Sequence, residues 1–360
     1  MKEYTSKISY IPHKLPGFDY PLEDIMYFDI ETTGFVASST ILYMIGFIEY
    51  SDGAYLLTQL FADTVESEAE IIRTFLARIK EHKVLVHYNG SGFDLPYIEA
   101  KCKLLGIPFD IEGSASIDIY KYINPLKKIF KLNNIKQKTI EKYIGLNRTD
   151  KFSGGELIEK YYEYIKHPND GLLRLLLCHN REDLSGMLCI DSMLSYNDLL
   201  AQDFEIEKTE LVENSGKKEV HIYVKHPNSF PVNISFGNDL VHFTAVSDTI
   251  KFSIEVYDNE LKYYYPNYKD YYYLPEEDRS IHKSVAFFVD KNFRTRAKAA
   301  NCYSKKTGTF LPQYDEIVSP YFKIDYHDKL TYFEFTEDFK ENNRLIVDYI
   351  QNLIRHLISS

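Results

Sequence analysis

Residues 27–34 read YFDIETTG, a run of strand-forming side chains that carries two carboxylates, Asp29 and Glu31, and breaks at Gly34. In a β-strand, residues i and i+2 point to the same face, so both carboxylates lie on one side of the predicted strand. Two like charges on one face are costly unless a cation lies between them. The stretch is therefore a candidate metal site at the end of a strand.

The residues after this stretch predict an α/β domain. Strands are predicted at 28–30, 41–50, 54–61 and 83–89, helices at 66–82, 93–106, 135–145 and 156–166, a strand or short helix at 116–123, and a long helix from about Leu172 to Leu200, capped by Asp170. Three strands followed by alternating helices and strands predict a mixed sheet with helices packed on it.

The pattern changes beyond residue 200. Apolar and polar residues alternate with period two between turn signals, which predicts an antiparallel sheet, with helices near 276–290 and 338–358. The tyrosine-rich stretch 263–273 is interpreted as a sheet face, with nucleobase stacking as the alternative. We therefore predict an N-terminal extension (1–23), an α/β domain (24–200) and a β-rich α+β domain (201–360), with the boundary near 201–204.

Charge and composition narrow the functional classes. The 360-residue chain has a formal net charge of −11, so a nucleic-acid partner must meet a local basic patch rather than the whole surface. The four cysteines show no metal-ligand spacing. The N-terminus lacks the apolar core of a signal peptide and no run of about 18 apolar residues occurs. These features predict a cytoplasmic protein without a membrane partner; no protein partner can be inferred.

Two further stretches strengthen the metal-site hypothesis. Acidic residues occupy 53 of 360 positions, so a carboxylate-x-carboxylate pair occurs by chance about eight times and is weak alone. HYNGSGFDLPYI places Asn89 after a predicted strand and Asp94 at the start of a helix, where α/β folds collect functional groups. CHNREDLSG places His179 and Asp183 four residues apart on one helix face. The pattern then comprises four carboxylates and one imidazole.

The words FDIETTG, NGSGFD and HNREDLSG, in this order, resemble the DEDD (DnaQ-like) 3′-to-5′ exonuclease superfamily, whose domain has the ribonuclease H-like fold. They are most similar to its YprB-like group, in which NGxxFD, a sequence like GELIEKYYEYI and HNxxD recur. The two main classes of the superfamily carry a tyrosine three intervening residues before the last aspartate, or a histidine four before it. Here His179 is separated from Asp183 by three residues, which combines features of both classes.

The same residues predict a two-metal mechanism. Phosphodiester hydrolysis needs an activated water and neutralisation of the leaving oxygen, which two divalent ions about 3.5 to 4 Å apart supply. Mg²⁺ or Mn²⁺ prefers oxygen ligands. We expect Asp29 to bridge both ions, Glu31 and Asp183 to hold the water-activating ion, and Asp94 to support the second ion through water. Because a histidine side chain titrates near neutral pH, His179 is suited to act as the general base.

Substrate contacts are predicted at the strand end and in the second domain. The segment 283–306 holds seven basic residues against one acid, with aromatic residues interleaved, and is either a solvated face or a strand-binding surface. The turn after the first strand would lie beside the terminal nucleotide. The predicted substrate-binding residues are Thr32, Thr33, Gly34, Asn89, Arg294, Arg296 and Lys298.

Structural roles are the alternatives at three positions: Asp94 as a helix cap, His179 as a core histidine and Asp118 as a structural residue near the site. The leading functional hypothesis is a metal-dependent 3′-to-5′ exonuclease acting on single-stranded DNA or RNA. The alternatives are a non-catalytic nucleic-acid-binding module that retains the fold, and a structure-specific endonuclease with the same metal site. All four carboxylates are present, which disfavours the non-catalytic alternative.

Overall fold

The computed structural model describes residues 1–149, 152, 154–200, 205–214 and 216–359. The chain forms two compact units: the first comprises Met1–Asn197 with Phe230–Val232, the second Asp198–Ser229 with Asn233–Ser360. Residues 201–204, where the sequence predicts the domain boundary, lie outside the described residues. No helix within the described ranges is both long enough and apolar enough to span a membrane.

A six-stranded mixed sheet forms the centre of the first unit. Its strands are β1 (Lys2–Ile8), β2 (Ile25–Thr32), β3 (Leu42–Ser51), β4 (Ala54–Phe61), β5 (Val84–His87) and β6 (Ala115–Asp118). They are arranged in the order β1-β4-β3-β2-β5-β6, antiparallel from β1 to β2 and parallel from β2 to β6. The first half of β2 and most of β3 are buried, as expected for apolar runs in strands covered on both faces.

Helices cover this sheet: α1 (Glu68–Ile79), α2 (Asp94–Leu105), α3 (Ile119–Ile123), α4 (Gln137–Tyr143), α5 (Gly154–Lys166) and α6 (Asp170–Ile190). The apolar stripe of α1, with Ile72 and Phe75, packs in one core cluster with Phe28 and Phe47 of the sheet. Helices α5 and α6 form a second cluster around Tyr43. The first unit is therefore the predicted ribonuclease H-like mixed sheet flanked by helices.

The long helix differs from its predicted limits. Helix α6 begins at Asp170, and its cap is Asn169, whose side chain accepts a hydrogen bond from the Leu172 amide at 2.9 Å. It ends at Ile190 and continues as a 3₁₀ helix, Asp191–Leu200. Periodicity alone does not separate these two helix types, because both place apolar residues three or four positions apart.

Residues 1–23, predicted as an extension, contribute to the first unit. Strand β1 pairs with β4 along its whole length. Farther on, His13 Nε2 lies 2.9 Å from Asp191 Oδ1, and the Tyr27 hydroxyl donates to Asp191 Oδ2 at 2.6 Å. Strand β1 lies at the edge of the sheet, and its side chains are exposed or half-buried. Its sequence, KEYTSKI, is therefore mostly polar and lacks the apolar alternation that predicts a strand.

The second unit is β-rich. Its strands form three antiparallel sheets, in the orders β7-β8-β11-β10-β9, β12-β16-β18-β17 and β14-β13-β15. The strands are β7 (Glu205–Asn214), β8 (Lys217–Lys225), β9 (Ile234–Gly237), β10 (Val241–Val246), β11 (Thr249–Glu255), β12 (Tyr257–Tyr264), β13 (Tyr271–Leu274), β14 (Arg279–His282), β15 (Thr295–Arg296), β16 (Tyr303–Gln313), β17 (Tyr321–Phe322) and β18 (Thr331–Glu334). The helices are α7 (Lys283–Ala286), α8 (Glu337–Glu341) and α9 (Asn343–Ser359).

The predicted helix near 276–290 is wrong for most of its length. Residues 275–278 form the turn of a hairpin that joins β13 to β14, and only Lys283–Ala286 is α-helical. A proline followed by acidic residues is typical of a helix start, and the same residues also favour turns. The pairing of β13 with β14 decides between the two structures here.

Candidate functional site

Asp29 and Glu31 lie in the second half of strand β2, where the strand leaves the buried core. Both side chains point to one face, and both are half-buried. Asp29 lies opposite Gly46 of β3, and the register shifts between Glu31 and Thr32, at the end of the strand. The period of two therefore places the two carboxylates side by side, as the sequence predicts.

Helix α6 brings His179 and Asp183 to the same place. His179 Nε2 lies 3.2 Å from Asp183 Oδ2 and 3.8 Å from Glu31 Oε1. Ligand atoms of Glu31, His179 and Asp183 all lie within 4.8 Å of one another. The spacing of four residues puts both α6 side chains on one face, and this face meets the end of β2.

Asn180 positions Asp29 from the next residue of α6. Its Nδ2 donates to Asp29 Oδ2 at 3.2 Å, and its Oδ1 accepts from Gln59 Nε2 at 2.9 Å. Asn180 is fully buried, and Gly46 makes room for it: a Cβ on Gly46 would lie 2.0 Å from Asn180 Oδ1. Asn180 stands inside the word HNREDLSG, but its contact with Asp29 depends on the β2–β3 register, which the sequence does not reveal.

Helix α2 begins at Asp94 and supplies the fourth carboxylate. Asp94 Oδ1 accepts a hydrogen bond from the amide of Ile30, the residue between Asp29 and Glu31, at 3.3 Å. Burial raises the pKa of Asp94 to about 7, although hydrogen bonds from the Ile30 amide and from its own amide oppose this shift. Asp94 thus takes part in the carboxylate cluster and also begins a helix.

The cluster is electrostatically strained without a cation. Burial, followed by the charges of Glu31, Asp183 and Asp94, raises the pKa of Asp29 well above its ordinary value. A divalent ion would relieve this repulsion, and carboxylate oxygens are the ligands that Mg²⁺ and Mn²⁺ prefer. The carboxylates of Glu31 and Asp183, grouped with His179 within 4.8 Å, therefore fit such an ion, and Asp29 is close enough to feel their charge.

Asp118 fixes the loop that carries Asn89. Its carboxylate accepts hydrogen bonds from the amides of Asn89 at 2.7 Å and Ser91 at 3.2 Å. Asn89 has a left-handed backbone, with φ of 62°, and an exposed side chain. Asp118 is buried and contacts backbone groups of the loop, which agrees with the structural interpretation of this residue.

The turn after β2 is closed by its own threonines. Thr32 Oγ1 donates to the Gly34 carbonyl at 2.8 Å, and Thr33 Oγ1 accepts from the Ile41 amide at 2.9 Å. Phe35 follows them and is 86% exposed. Its ring lies 5.8 Å from that of Phe93, the residue before Asp94. An exposed aromatic ring thus lies beside the start of the helix that carries Asp94, a feature that the sequence alone does not reveal.

Arg148 is a second residue that the sequence analysis missed. Its guanidinium group contacts Asp183 Oδ1 and both carboxylate oxygens of Glu141, a buried residue of α4. Gln137 Nε2 donates to the Asp183 carbonyl at 2.7 Å. Arg148 lies in the connection between α4 and α5, and no spacing in the sequence links it to Asp183. Only the packing of α4 on α6 brings them together.

We expect Arg148→Gln to lower both stability and activity. Glu141 would become an uncompensated buried charge, for which a loss of roughly 3–5 kcal/mol is typical, and Asp183 would lose one of its partners. Thermal unfolding and oligonucleotide hydrolysis measure the two effects. The double variant Glu141→Gln/Arg148→Gln should recover most of the stability but not the activity. Equal recovery of both would show that Arg148 serves the fold alone.

In the second unit, the predicted basic residues fall into two groups. Lys283, Lys305 and Lys306 form ion pairs with acidic residues of other elements, at 2.6 to 3.3 Å. Arg294 and Arg296 instead place their guanidinium carbons 4.9 and 4.6 Å from the centre of the Tyr272 ring. The basic residues of this segment without an ion pair among the described residues are Lys291, Arg294, Arg296 and Lys298.

The family model of the RNase H superfamily matches residues 26–194. The uncharacterized protein YprB of Bacillus subtilis (strain 168) is 24% identical over 184 residues, which are 50% of this chain and 44% of YprB. The DNA polymerase of Thermococcus kodakarensis is 36% identical over 98 residues, 25% of this chain and 6% of the polymerase. That of Thermococcus sp. (strain 9oN-7) is likewise 36% identical over 98 residues, 25% of this chain and 13% of the polymerase.

Among solved structures, the family B DNA polymerase of Pyrobaculum calidifontis aligns with a TM-score of 0.39 and 16% identity, covering 68% of this chain and 34% of the polymerase. The matches to YprB and the two polymerases cover less than half the length of each of these relatives. The family match and the YprB relationship confirm the resemblance carried by FDIETTG, NGSGFD and HNREDLSG. Residues 26–194 of this chain thus match the ribonuclease H superfamily, in the part of the sequence where FDIETTG, NGSGFD and HNREDLSG occur.

Proposed function

We propose that the first unit is a metal-dependent nuclease that removes nucleotides from the 3′ end of single-stranded DNA or RNA. The observation that carries this proposal is the convergence of Glu31, His179 and Asp183 within 4.8 Å, beside Asp29. Clusters of this composition hold divalent ions, and divalent ions are the usual means of phosphodiester hydrolysis.

Asp29, Glu31 and Asp183 would hold two ions of Mg²⁺ or Mn²⁺, and Asp94 would support the second. When bound, such ions would make water acidic enough to lose a proton near neutral pH and would neutralise charge on the leaving oxygen. Asn180 keeps the Asp29 carboxylate oriented through its hydrogen bond at 3.2 Å. Because the carboxylates are held by β2, α2 and α6, their positions are set before substrate arrives.

His179 is proposed as the general base. Its Nε2 lies between Glu31 and Asp183, at 3.8 and 3.2 Å from their oxygens, so a water beside these carboxylates is within its reach. Such a base accepts the proton of the attacking water as the new oxygen–phosphorus bond forms and the bond from phosphorus to the 3′ oxygen of the preceding nucleotide breaks. The neighbouring carboxylates then stabilise the imidazolium.

We expect His179→Ala to lower the hydrolysis rate by roughly 10² to 10⁴, the usual contribution of a general base, while metal affinity stays nearly unchanged. Single-turnover rates and calorimetric titration with Mn²⁺ measure the two quantities. A large loss of metal affinity would make His179 a metal ligand rather than a base. Wild-type rates at every pH would assign it to the fold.

The proposed activity is tested by digestion of end-labelled DNA and RNA oligonucleotides with Mg²⁺, Mn²⁺ or EDTA, resolved by length. A ladder shortening from the 3′ end supports the exonuclease, whereas internal cuts at defined positions identify the endonuclease alternative. Binding without cleavage in either metal would identify a non-catalytic module. Asp183→Ala serves as the control that separates this chain's activity from contaminating nucleases.

Several residues around the carboxylates are proposed to contact the terminal nucleotides. The turn Thr32–Gly34 would approach the sugar–phosphate backbone, and the exposed Asn89 side chain would hydrogen-bond sugar or phosphate. The exposed ring of Phe35 would stack on a base, since every base offers a π-face to an aromatic side chain.

The unpaired basic residues of the second unit are proposed to attract the strand. We expect the variant Arg294→Ala/Arg296→Ala/Lys298→Ala to flatten the slope of log affinity against log salt by up to about 2, because each phosphate neutralised on a single strand contributes about 0.7. Binding in Ca²⁺ at several salt concentrations provides the measurement. Lys283→Gln/Lys306→Gln, which removes lysines already paired with acids, should change the slope less. Equal slopes for all proteins would make Arg294–Lys298 ordinary surface.

A further inference from the structure

A tyrosine-lined cavity lies within the second unit. Its volume is about 770 Å³, within the range of ordinary ligand sites. It is bordered by the end of β12, the 3₁₀ turn Tyr268–Asp270, Ala299 and the segment 321–329. The tyrosines of its wall are Tyr263, Tyr264, Tyr265, Tyr268, Tyr321 and Tyr326.

Two of these rings remain available to a ligand. Tyr264 and Tyr326 contact each other at 5.3 Å, and Tyr265 stacks on Tyr271 at 4.4 Å. Tyr268 and Tyr321, by contrast, contact no other ring among the described residues, and Tyr268 is 36% exposed. The packed tyrosines thus form a rigid wall, and the other two present ring faces or edges without partners.

Two lysines of the cavity wall could contact an anion. Lys323 and Lys329 line it and make no ion pair within the described ranges. Lys323 is fixed in place because its backbone exchanges two hydrogen bonds with Lys262, at 2.9 and 3.0 Å. The acid of the lining, Asp328, accepts a hydrogen bond from the Asp325 amide at 2.7 Å, which holds the turn 325–328. The lining thus carries two lysines against one acid in a chain of net charge −11, although Asp325 and Asp278 also lie close enough to act on Tyr264.

We propose that this cavity binds single-stranded nucleic acid, with a base against Tyr268 and Tyr321 and the adjoining phosphates near Lys323 and Lys329. Aromatic faces combined with unpaired lysines are the chemistry that recognises a base together with its phosphate. Ala299 of the cavity wall directly follows Lys298 in the sequence. A nucleic-acid strand that leaves the cavity here would therefore meet the basic residues Arg294, Arg296 and Lys298. The proposal deepens the proposed function, on which it rests, by naming a second anchoring place for the same substrate.

The test uses the full chain in EDTA, where the acidic cluster of the first unit repels phosphate and hydrolysis does not occur. A fluorescent oligothymidylate of roughly 20 nucleotides is titrated by anisotropy at several salt concentrations. Tyr268→Ala/Tyr321→Ala should weaken binding about tenfold, the contribution of one stacked base, without changing the salt slope. Lys323→Ala/Lys329→Ala should flatten that slope by about 1.4, from two phosphates at about 0.7 each.

Two controls keep the result decisive. Tyr223→Ala/Lys251→Ala removes a tyrosine and a lysine that lie 6.0 Å apart on the five-stranded sheet of the same unit, and it should bind as wild type does. Tyr268→Phe/Tyr321→Phe keeps the rings and should retain affinity, which separates stacking from loss of folding. Wild-type affinity of both alanine pairs would overturn the proposal. So would thymidine monophosphate binding to the cavity as tightly as the oligonucleotide does.

The outcome is distinguishable from failure of the proposed nuclease. Hydrolysis of a labelled dinucleotide, too short to span a second site, reports on the carboxylate cluster and should be equal in wild type and in both cavity variants. If wild type cleaves the dinucleotide but the cavity variants bind the oligonucleotide normally, the nuclease stands and the cavity proposal fails. If no substrate is cleaved but oligonucleotide binding depends on the cavity, the cavity proposal stands and the proposed nuclease fails.

Discussion

Asp29→Asn is expected to abolish hydrolysis and, in the same protein, to raise the melting temperature of the metal-free form. The activity falls because an amide would bind divalent ions more weakly than a carboxylate does; such ions would contribute several kcal/mol to the transition state, so the loss should be roughly 10³-fold or more. The stability rises because one of four mutually repelling carboxylates disappears. A relief of 1 to 2 kcal/mol corresponds to roughly 3 to 6 °C for a unit of this size.

The stability effect depends on pH in a definite direction. Burial and like charges raise the pKa of Asp29, and burial raises that of Asp94 to about 7, so the folded state retains protons that the unfolded state has lost. Stability contributed by these groups is therefore greatest at acidic pH and is lost as pH rises, in the case of Asp94 between about 4 and about 7. Metal-free wild type should melt at a higher temperature at pH 5.5 than at pH 7.5. This difference in melting temperature should be smaller in Asp29→Asn.

Asp19→Asn, at a side chain that is 98% exposed, controls for the removal of one negative charge. It should change neither activity nor melting temperature. Saturating Mn²⁺ should raise the melting temperature of wild type more than that of Asp29→Asn. An unaltered hydrolysis rate in purified Asp29→Asn would refute the assignment of the site.

Gly46→Ala is expected to lower both stability and the hydrolysis rate, although neither Gly46 nor Asn180 is proposed to contact metal or substrate. The added Cβ would lie 2.0 Å from Asn180 Oδ1 and 2.5 Å from Leu184 Cδ1, and the strand–helix contact has no space to absorb it. Overpacking of this kind destabilises by about 1–3 kcal/mol. Displaced by about 1 Å, Asn180 would release Asp29, and such a misplacement lowers rates by roughly 10².

Gly113→Ala is the matched control, because a Cβ at Gly113 meets nothing within 4 Å. Melting curves and hydrolysis rates of both alanine variants give the comparison. In the double variant Gly46→Ala/Asn180→Ala the clash with Asn180 disappears, so stability should recover in part while activity stays low, since Asp29 has lost its hydrogen bond. Wild-type activity in Gly46→Ala would remove Asn180 from any role in positioning Asp29.

The carboxylates could be found from the sequence because strand and helix periods report side-chain direction. The spacing of two between Asp29 and Glu31 places both side chains on one face of a strand. The spacing of four between His179 and Asp183 places both on one face of a helix. Arg148 and Asn180 act through contacts across elements, which depend on how α4, α6 and β3 pack. The pairing of β13 with β14 likewise overrode a local helix signal.

The contacts of residues 1–23 have a practical consequence for dissecting the molecule. The domain limits predicted from the sequence suggest a fragment that begins at residue 24. Such a fragment would lack β1 and would expose the backbone edge of β4 that now pairs with it. Unprotected edges of this kind recruit other chains into shared sheets. Without His13, the buried Asp191 would lose the partner 2.9 Å away at the point where α6 ends. Aggregation or lost activity of such a fragment would reflect its truncation rather than an absence of catalysis in the ribonuclease H-like domain.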